Sequence, residues 1–157
     1  MRPEGWVLLL APLAAQAAAG AFDANGVKLG DPEKVVRQRF PNAHCQPLQW
    51  ESRAADRRCD DSRAVIAGVE ARITVYLRKD AVEALDLRFE TAVAPAFTKL
   101  ATERFGAPPV EKTTEKARTL QWRRHAERAV LTTEPGQRRA TLLVWRGDFY
   151  DEIYKVR

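Results

Sequence analysis

The chain has 157 residues, 26 of them Lys or Arg against 21 Asp or Glu, a formal charge of +5 and 45% apolar side chains. That composition excludes a disordered tail, and the length allows one ordinary domain or two small units sharing a core, not a multidomain machine. With two His, two Cys, two Ser and one Met, nucleophiles, general bases and soft metal ligands are scarce, so the composition disfavours an enzyme. No motif calls for a cofactor or a metal.

Residues 1–21 join Arg2, an apolar run from Trp6 to Ala15 and the small-residue stretch Gln16-Ala17-Ala18-Ala19-Gly20-Ala21, with Ala-x-Ala sites ending at Ala17, Ala19 or Ala21. This is the pattern of a cleaved signal peptide, and a run interrupted by Pro12 falls short of the ~20 residues of a membrane span. The expectation is a soluble periplasmic or secreted protein without a later transmembrane segment. Residues 22–91 hold 12 basic and 12 acidic side chains, whereas residues 92–157 hold 13 and 8. All the excess positive charge therefore lies in the second half, densest around Arg118, Arg123, Arg124, Arg128, Arg138 and Arg139.

Asp31-Pro32-Glu33 reads as a helix start, with Asp as the cap and Pro at the first helical position, and the helix presents Val35, Val36 and Phe40 before Pro41 stops it. Cys45 and Cys59 follow. In an oxidising compartment two cysteines pair, and closing a loop of about 15 residues is worth roughly 3 kcal/mol. A Cys45 thiolate activated by His44 is disfavoured because neighbours in an extended segment point to opposite faces. A zinc site from His44, Cys45, Cys59 and His125 lacks any close ligand pair. Asp60-Asp61 reads as a surface turn, since adjacent carboxylates do not converge as an acid and base must.

Val69, Ala71, Ile73, Val75 and Leu77 alternate with Glu70, Arg72, Thr74 and Tyr76, which predicts a half-buried strand. Arg78-Lys79-Asp80 turns the chain, and Leu85, Leu87 and Phe89 return as its hairpin partner. A second helix runs from about Pro95 to Phe105, with Phe97, Leu100, Ala101 and Phe105 in one stripe and Gly106 closing it. Strands follow at Thr119–Arg123, Ala129–Thr133 and Ala140–Arg146, with a Pro135-Gly136 turn, and a last short strand is expected at Phe149–Tyr154. Arg146-Gly147-Asp148 suits a turn better than an adhesion signal.

Arg39-Phe40-Pro41 and Arg104-Phe105-Gly106 end the two helices, and Leu48-Gln49-Trp50 recurs as Leu120-Gln121-Trp122. The order helix, Leu-x-Trp strand, hairpin thus occurs twice. The expected fold is α+β, a tandem α-β-β-β repeat spanning residues 22–91 and 92–157, forming one antiparallel sheet with both helices on one face.

The stretch Gly26-Val27-Lys28-Leu29-Gly30-Asp31 before a helix ending Arg39-Phe40-Pro41, and Arg104-Phe105-Gly106-Ala107-Pro108 before a Trp strand, resembles small exported helix-plus-sheet domains of the bacterial envelope. Among these are the small lipoprotein of the outer-membrane β-barrel assembly machinery and the tandem-repeat β-lactamase inhibitor proteins. The resemblance implies a non-catalytic module that binds an envelope protein, as an assembly accessory or inhibitor. The chain departs from the first family in having no lipid-accepting Cys.

With both helices on one face, the opposite face carries Glu70, Arg72, Thr74 and Tyr76 on one strand and Thr141, Leu143 and Trp145 on another, a set too apolar for plain solvent. Tyr76 and Trp145 with Arg123 and Arg124 form the candidate partner patch, because Trp, Tyr and Arg dominate interface hot spots. Trp50 and Trp122, each following a Leu by two residues, are expected in the core. Alternative partners are an anionic lipid or polysaccharide, or an anionic or amphipathic small ligand held between sheet and helices. Nucleic acid is disfavoured, because export opposes it and no binding motif is visible.

Overall fold

The computed structural model describes residues 21–155. The expected signal peptide lies outside them apart from Ala21. The chain enters through a two-residue hairpin, β1 (Asp23–Ala24) against β2 (Val27–Lys28), with Asn25 and Gly26 in the turn at φ of 52° and 86°. An Asn-Gly pair tolerates that left-handed backbone, which is why it makes this turn.

The first helix, α1 (Glu33–Arg39), is not capped by Asp31. Pro32 holds the cap position with extended backbone, and the Asp31 carboxylate accepts from the Lys28 amide at 2.8 Å. The cap comes instead from Asp80, 47 residues on, whose carboxylate accepts the Glu33 amide at 3.0 Å. A local pattern cannot foresee a cap delivered by a distant turn.

Next come β3 (His44–Pro47), β4 (Arg57–Ile66), β5 (Val69–Arg78) and β6 (Ala81–Glu90). The β5–β6 hairpin turns at Lys79-Asp80, both with positive φ, where the sequence places the reversal. A 3-10 turn (Thr91–Val93) leads into α2 (Ala94–Phe105), closed by Gly106 in the left-handed region at φ 70°. Then follow β7 (Val110–Thr113), β8 (Arg118–Arg124), β9 (Glu127–Thr133), β10 (Arg139–Arg146) and a single turn of helix, α3 (Phe149–Glu152).

All eight strands from β3 to β10 form one antiparallel sheet in the order β3-β4-β5-β6-β10-β9-β8-β7. The four strands after α1 stand in chain order, the four after α2 in reverse, and β6 meets β10 in the middle. Val36 and Phe40 on the first helix side, and Phe97, Ala101 and Phe105 on the second, join one core with Ile73, Val75, Leu85, Leu87, Leu142, Leu131 and Trp122. Both helices therefore cover the same face of an α+β fold. Each fully buried aliphatic or aromatic side chain there contributes about 1.5–3 kcal/mol.

Three expectations are corrected. Each helix is followed by four strands, not three: the short edge strands β3 and β7 carry too little alternation to be predicted, and β4, ten residues long, breaks its alternation at the register shift between Asp61 and Ala64. Leu48-Gln49-Trp50 is not a strand but part of the loop between β3 and β4, whereas Leu120-Gln121-Trp122 lies on β8. Phe149–Tyr154 is not a strand either: its first four residues coil into α3, and Phe149 and Ile153 are both buried.

The disulfide is formed. Cys45 and Cys59 stand directly opposite each other on β3 and β4, with an S–S distance of 2.02 Å, and fasten the edge strand to the sheet. Asp60 and Asp61 lie on β4, not in a turn. Among the described residues no helix is long and apolar enough to cross a membrane.

Candidate interaction face

Strand alternation divides the sheet into a helix face and an outer face, and the register sets the outer side chains in rows. One row runs Arg58, Tyr76, Ala84, Trp145, Arg128 and Arg123 across β4, β5, β6, β10, β9 and β8. Thus Tyr76, Trp145 and Arg123 of the expected patch share one row. Arg124, one position along β8, falls on the helix face and is half-buried.

The two aromatics are nonetheless not a free surface. Tyr76 is 5% exposed and Trp145 7%. They form a second, smaller core with Ala84, Ala54, Ala55, Phe149 and Ile153, edged by Leu48, Trp50, Val130 and Leu143. The chain's own C-terminal segment covers them: the Phe149 ring lies 5.2 Å from Tyr76, and Tyr150 stacks on Trp145 at 5.2 Å. Two bonds from the β3–β4 loop latch that segment down. The Trp50 indole donates to the Ile153 carbonyl at 2.8 Å, and the Ser52 hydroxyl to the Glu152 carbonyl at 3.3 Å. Burial pushes the Tyr76 hydroxyl up to about 12, so it stays neutral. Trp122 is in the main core as expected, while Trp50 is half-buried in this latch.

Beyond this cover no further element is layered on the outer face among the described residues. The next row is Asp60, Thr74, Asp86, Leu143, Val130 and Gln121, and the one after it Arg72, Arg88, Thr141, Thr132 and Thr119. Leu143 and Val130 are half-buried, and the large apolar side chains Tyr150 and Tyr154 stand 59% and 73% exposed on the neighbouring segment.

Of the acids in these rows, Asp60 is committed. Arg58 grips Asp60 with two bonds, 2.8 Å and 2.7 Å, the Thr74 hydroxyl adds a third at 2.6 Å, and Arg58 also lies over the Tyr76 ring. Although burial opposes ionisation of Asp60, these partners hold its carboxyl below the usual range. Asp86 has no such grip. Its side chain is 12% exposed with Arg88 at 3.7 Å, and burial drives its carboxyl upward.

No protein-family model, curated protein or solved structure matches the chain.

Other chemistry-bearing groups are dispersed. His44 stands on the edge strand β3, whereas His125 sits in the β8–β9 turn at φ 51°. Glu33, Cys45 and Cys59 have ligand atoms within 4.8 Å of one another, but the sulfurs are bonded together, and Glu33 takes Arg57 at 2.6 Å and Arg37 at 3.0 Å. The cluster is a staple beside an ion pair. On the helix face a groove of about 590 Å³ runs beside α2, floored by Leu120 and Leu131 and rimmed by Lys99 and Arg118. Both rim cations have acidic neighbours, Glu103 at 3.9 Å and Glu111 at 2.6 Å.

The expected patch does not include Arg88 or Arg128, which the register sets opposite Arg72 and Arg123. Alternation assigns Arg72 a face, but only strand pairing says which residue it meets.

Proposed function

We propose that the protein is an exported, non-enzymatic binding module that engages an envelope protein through the outer face of its sheet. The observation that carries this reading is that Leu143 and Val130, at the edge of the second core, stay only half-buried on a face with no further layer among the described residues, framed by exposed Tyr150, Tyr154 and arginines. Sheets open on one side keep that side polar or use it, and Tyr with Arg is the composition of interface hot spots. The partner patch is thus shifted from Tyr76 and Trp145 themselves to the surface beside them. The disulfide supports maturation in an oxidising compartment, and the resemblance to envelope domains points the same way. We also read the two halves as tandem repeats, each a helix with four strands, joined at their last strands β6 and β10.

A second reading, binding of an amphipathic small ligand, rests on the groove beside α2. Its self-neutralised rim makes it weaker for an anionic head group.

Amine-reactive crosslinking in the native envelope, mapped by mass spectrometry, separates the faces. Lys112 lies on the outer face of β7 and Lys155 follows α3, whereas Lys34 and Lys99 are exposed on α1 and α2. Crosslinks to another protein are expected from Lys112 and Lys155. Crosslinks confined to Lys34 and Lys99 overturn the reading.

A further inference from the structure

Two pairs of arginines stand directly opposite each other on the outer face: Arg72 with Arg88 on β5 and β6, and Arg128 with Arg123 on β9 and β8. Side chains directly opposite in an antiparallel pair have Cβ atoms about 4.5–5.5 Å apart, and like charges placed so are destabilising. All four side chains are exposed. Among the described residues the side chains of Arg72, Arg123 and Arg128 make no ion pair or hydrogen bond, and Arg88 has only the 3.7 Å contact with Asp86. Elsewhere Arg57, Arg118 and Arg146 each hold a carboxylate, at 2.6 Å, 2.6 Å and 3.0 Å. The fold thus pairs those arginines closely, and leaves the two like-charged pairs on a single face with only looser acidic neighbours, Asp60 and Asp86 on the side of Arg72 and Arg88.

We infer that the outer face binds an acidic protein segment, whose carboxylates neutralise the Arg72–Arg88 and Arg123–Arg128 pairs while an apolar side chain between them rests on Leu143 and Val130. This rests on the reading of the outer face as the binding surface. The pairs lie at opposite corners, and strand spacing with the rise per residue sets them roughly 20 Å apart, the reach of about six extended residues. Of the acids on the face, Asp60 is held by Arg58 and Thr74 and Asp86 is largely sunk beneath the surface, while exposed Glu70, 3.9 Å from Arg63, and Glu90 line the same hollow as Arg72 and Arg88 without forming an ion pair with either. The apolar row between the two poles favours a protein over a polysaccharide or a lipid head group, neither of which supplies an apolar side chain at that spacing. Arginine forks match carboxylates in two-bond geometry.

The test uses the purified full chain and a fluorescent peptide, Glu-Glu-Ser-Leu-Thr-Ser-Glu-Glu, whose acid pairs have this spacing. Anisotropy at low salt should report binding that weakens about tenfold in Arg72→Glu/Arg88→Glu or in Arg123→Glu/Arg128→Glu. Raising the salt should weaken it too. Replacing the central leucine of the peptide by serine should also weaken binding, and melting temperatures of the variants should not fall. Equal binding of a peptide with Lys in place of Glu, or unchanged binding by both variants, overturns the inference. So does binding of anionic phospholipid vesicles or a sulfated oligosaccharide in place of the peptide. If the acidic peptide fails while envelope crosslinks still map to Lys112 and Lys155, only the acidic partner is lost. Crosslinks confined to Lys34 and Lys99 remove the outer-face reading as well.

Discussion

Asp86 is a carboxylate in a poor place to be charged, with its side chain 12% exposed and Leu143 as its cross-strand neighbour on β10. A carboxyl whose protonation is favoured in the folded state makes ionised folding costly, so its contribution to stability improves as the pH drops through its raised folded value. Glu33 and Asp60, held low by Arg57 and Arg58, act oppositely: their contribution is complete above the ordinary carboxylate range and is lost as pH falls below it. Asp86→Asn should therefore raise the melting temperature at neutral pH, and the gain should shrink toward zero on acidification. Thermal scans from pH 7 to about 4 check this, and a loss of stability at pH 7 contradicts it. Replacing Trp50 by Phe keeps the ring but removes the indole bond to the Ile153 carbonyl, and should cost about 1 kcal/mol in denaturant titrations.

At the scale of elements, the long strands β5, β8, β9 and β10 were readable because alternation over seven to ten residues leaves little ambiguity. The C-terminal segment was not. Phe149 and Ile153 are four apart, so they share one side of a helix and also one side of a strand, and six residues cannot separate the two periods. Leu48-Gln49-Trp50 misled for a related reason, since three residues carry no period at all. Removing the Phe149 ring by substitution with Ala should cost about 3 kcal/mol, at the low end for a buried Phe. It should also red-shift the Trp fluorescence as Trp145 gains water; an unshifted spectrum contradicts the cover. The staple on β3 was legible from the expectation that two cysteines pair in an exported chain. Replacing Cys45 and Cys59 together by Ser should lower stability by about 3 kcal/mol.

Over the whole molecule, α1 and α2 pack on one face of an eight-stranded sheet, and the proposed function rests on the other face. That such a face exists, and that Arg72, Thr74, Tyr76, Leu143 and Trp145 belong to it, followed from alternation alone. What covers it did not, because the cover joins residues about 100 positions apart, as in the Ser52 and Trp50 bonds to the C-terminal segment. The opposition of arginines across strands was hidden likewise, since it depends on register. Under the proposed reading, the sheet edges favour contact through the face over strand addition. β3 is fastened by the disulfide, and β7 is four residues long with Glu111 and Lys112 exposed on it, both devices that discourage edge pairing.

The most direct measurement places a photo-crosslinking amino acid at Tyr150, beside the open row, and in a second protein at Thr98 on α2, and irradiates intact cells producing each. A discrete adduct with another protein is predicted from position 150 and not from position 98. An adduct from position 98 alone, or equal labelling from both, contradicts the account.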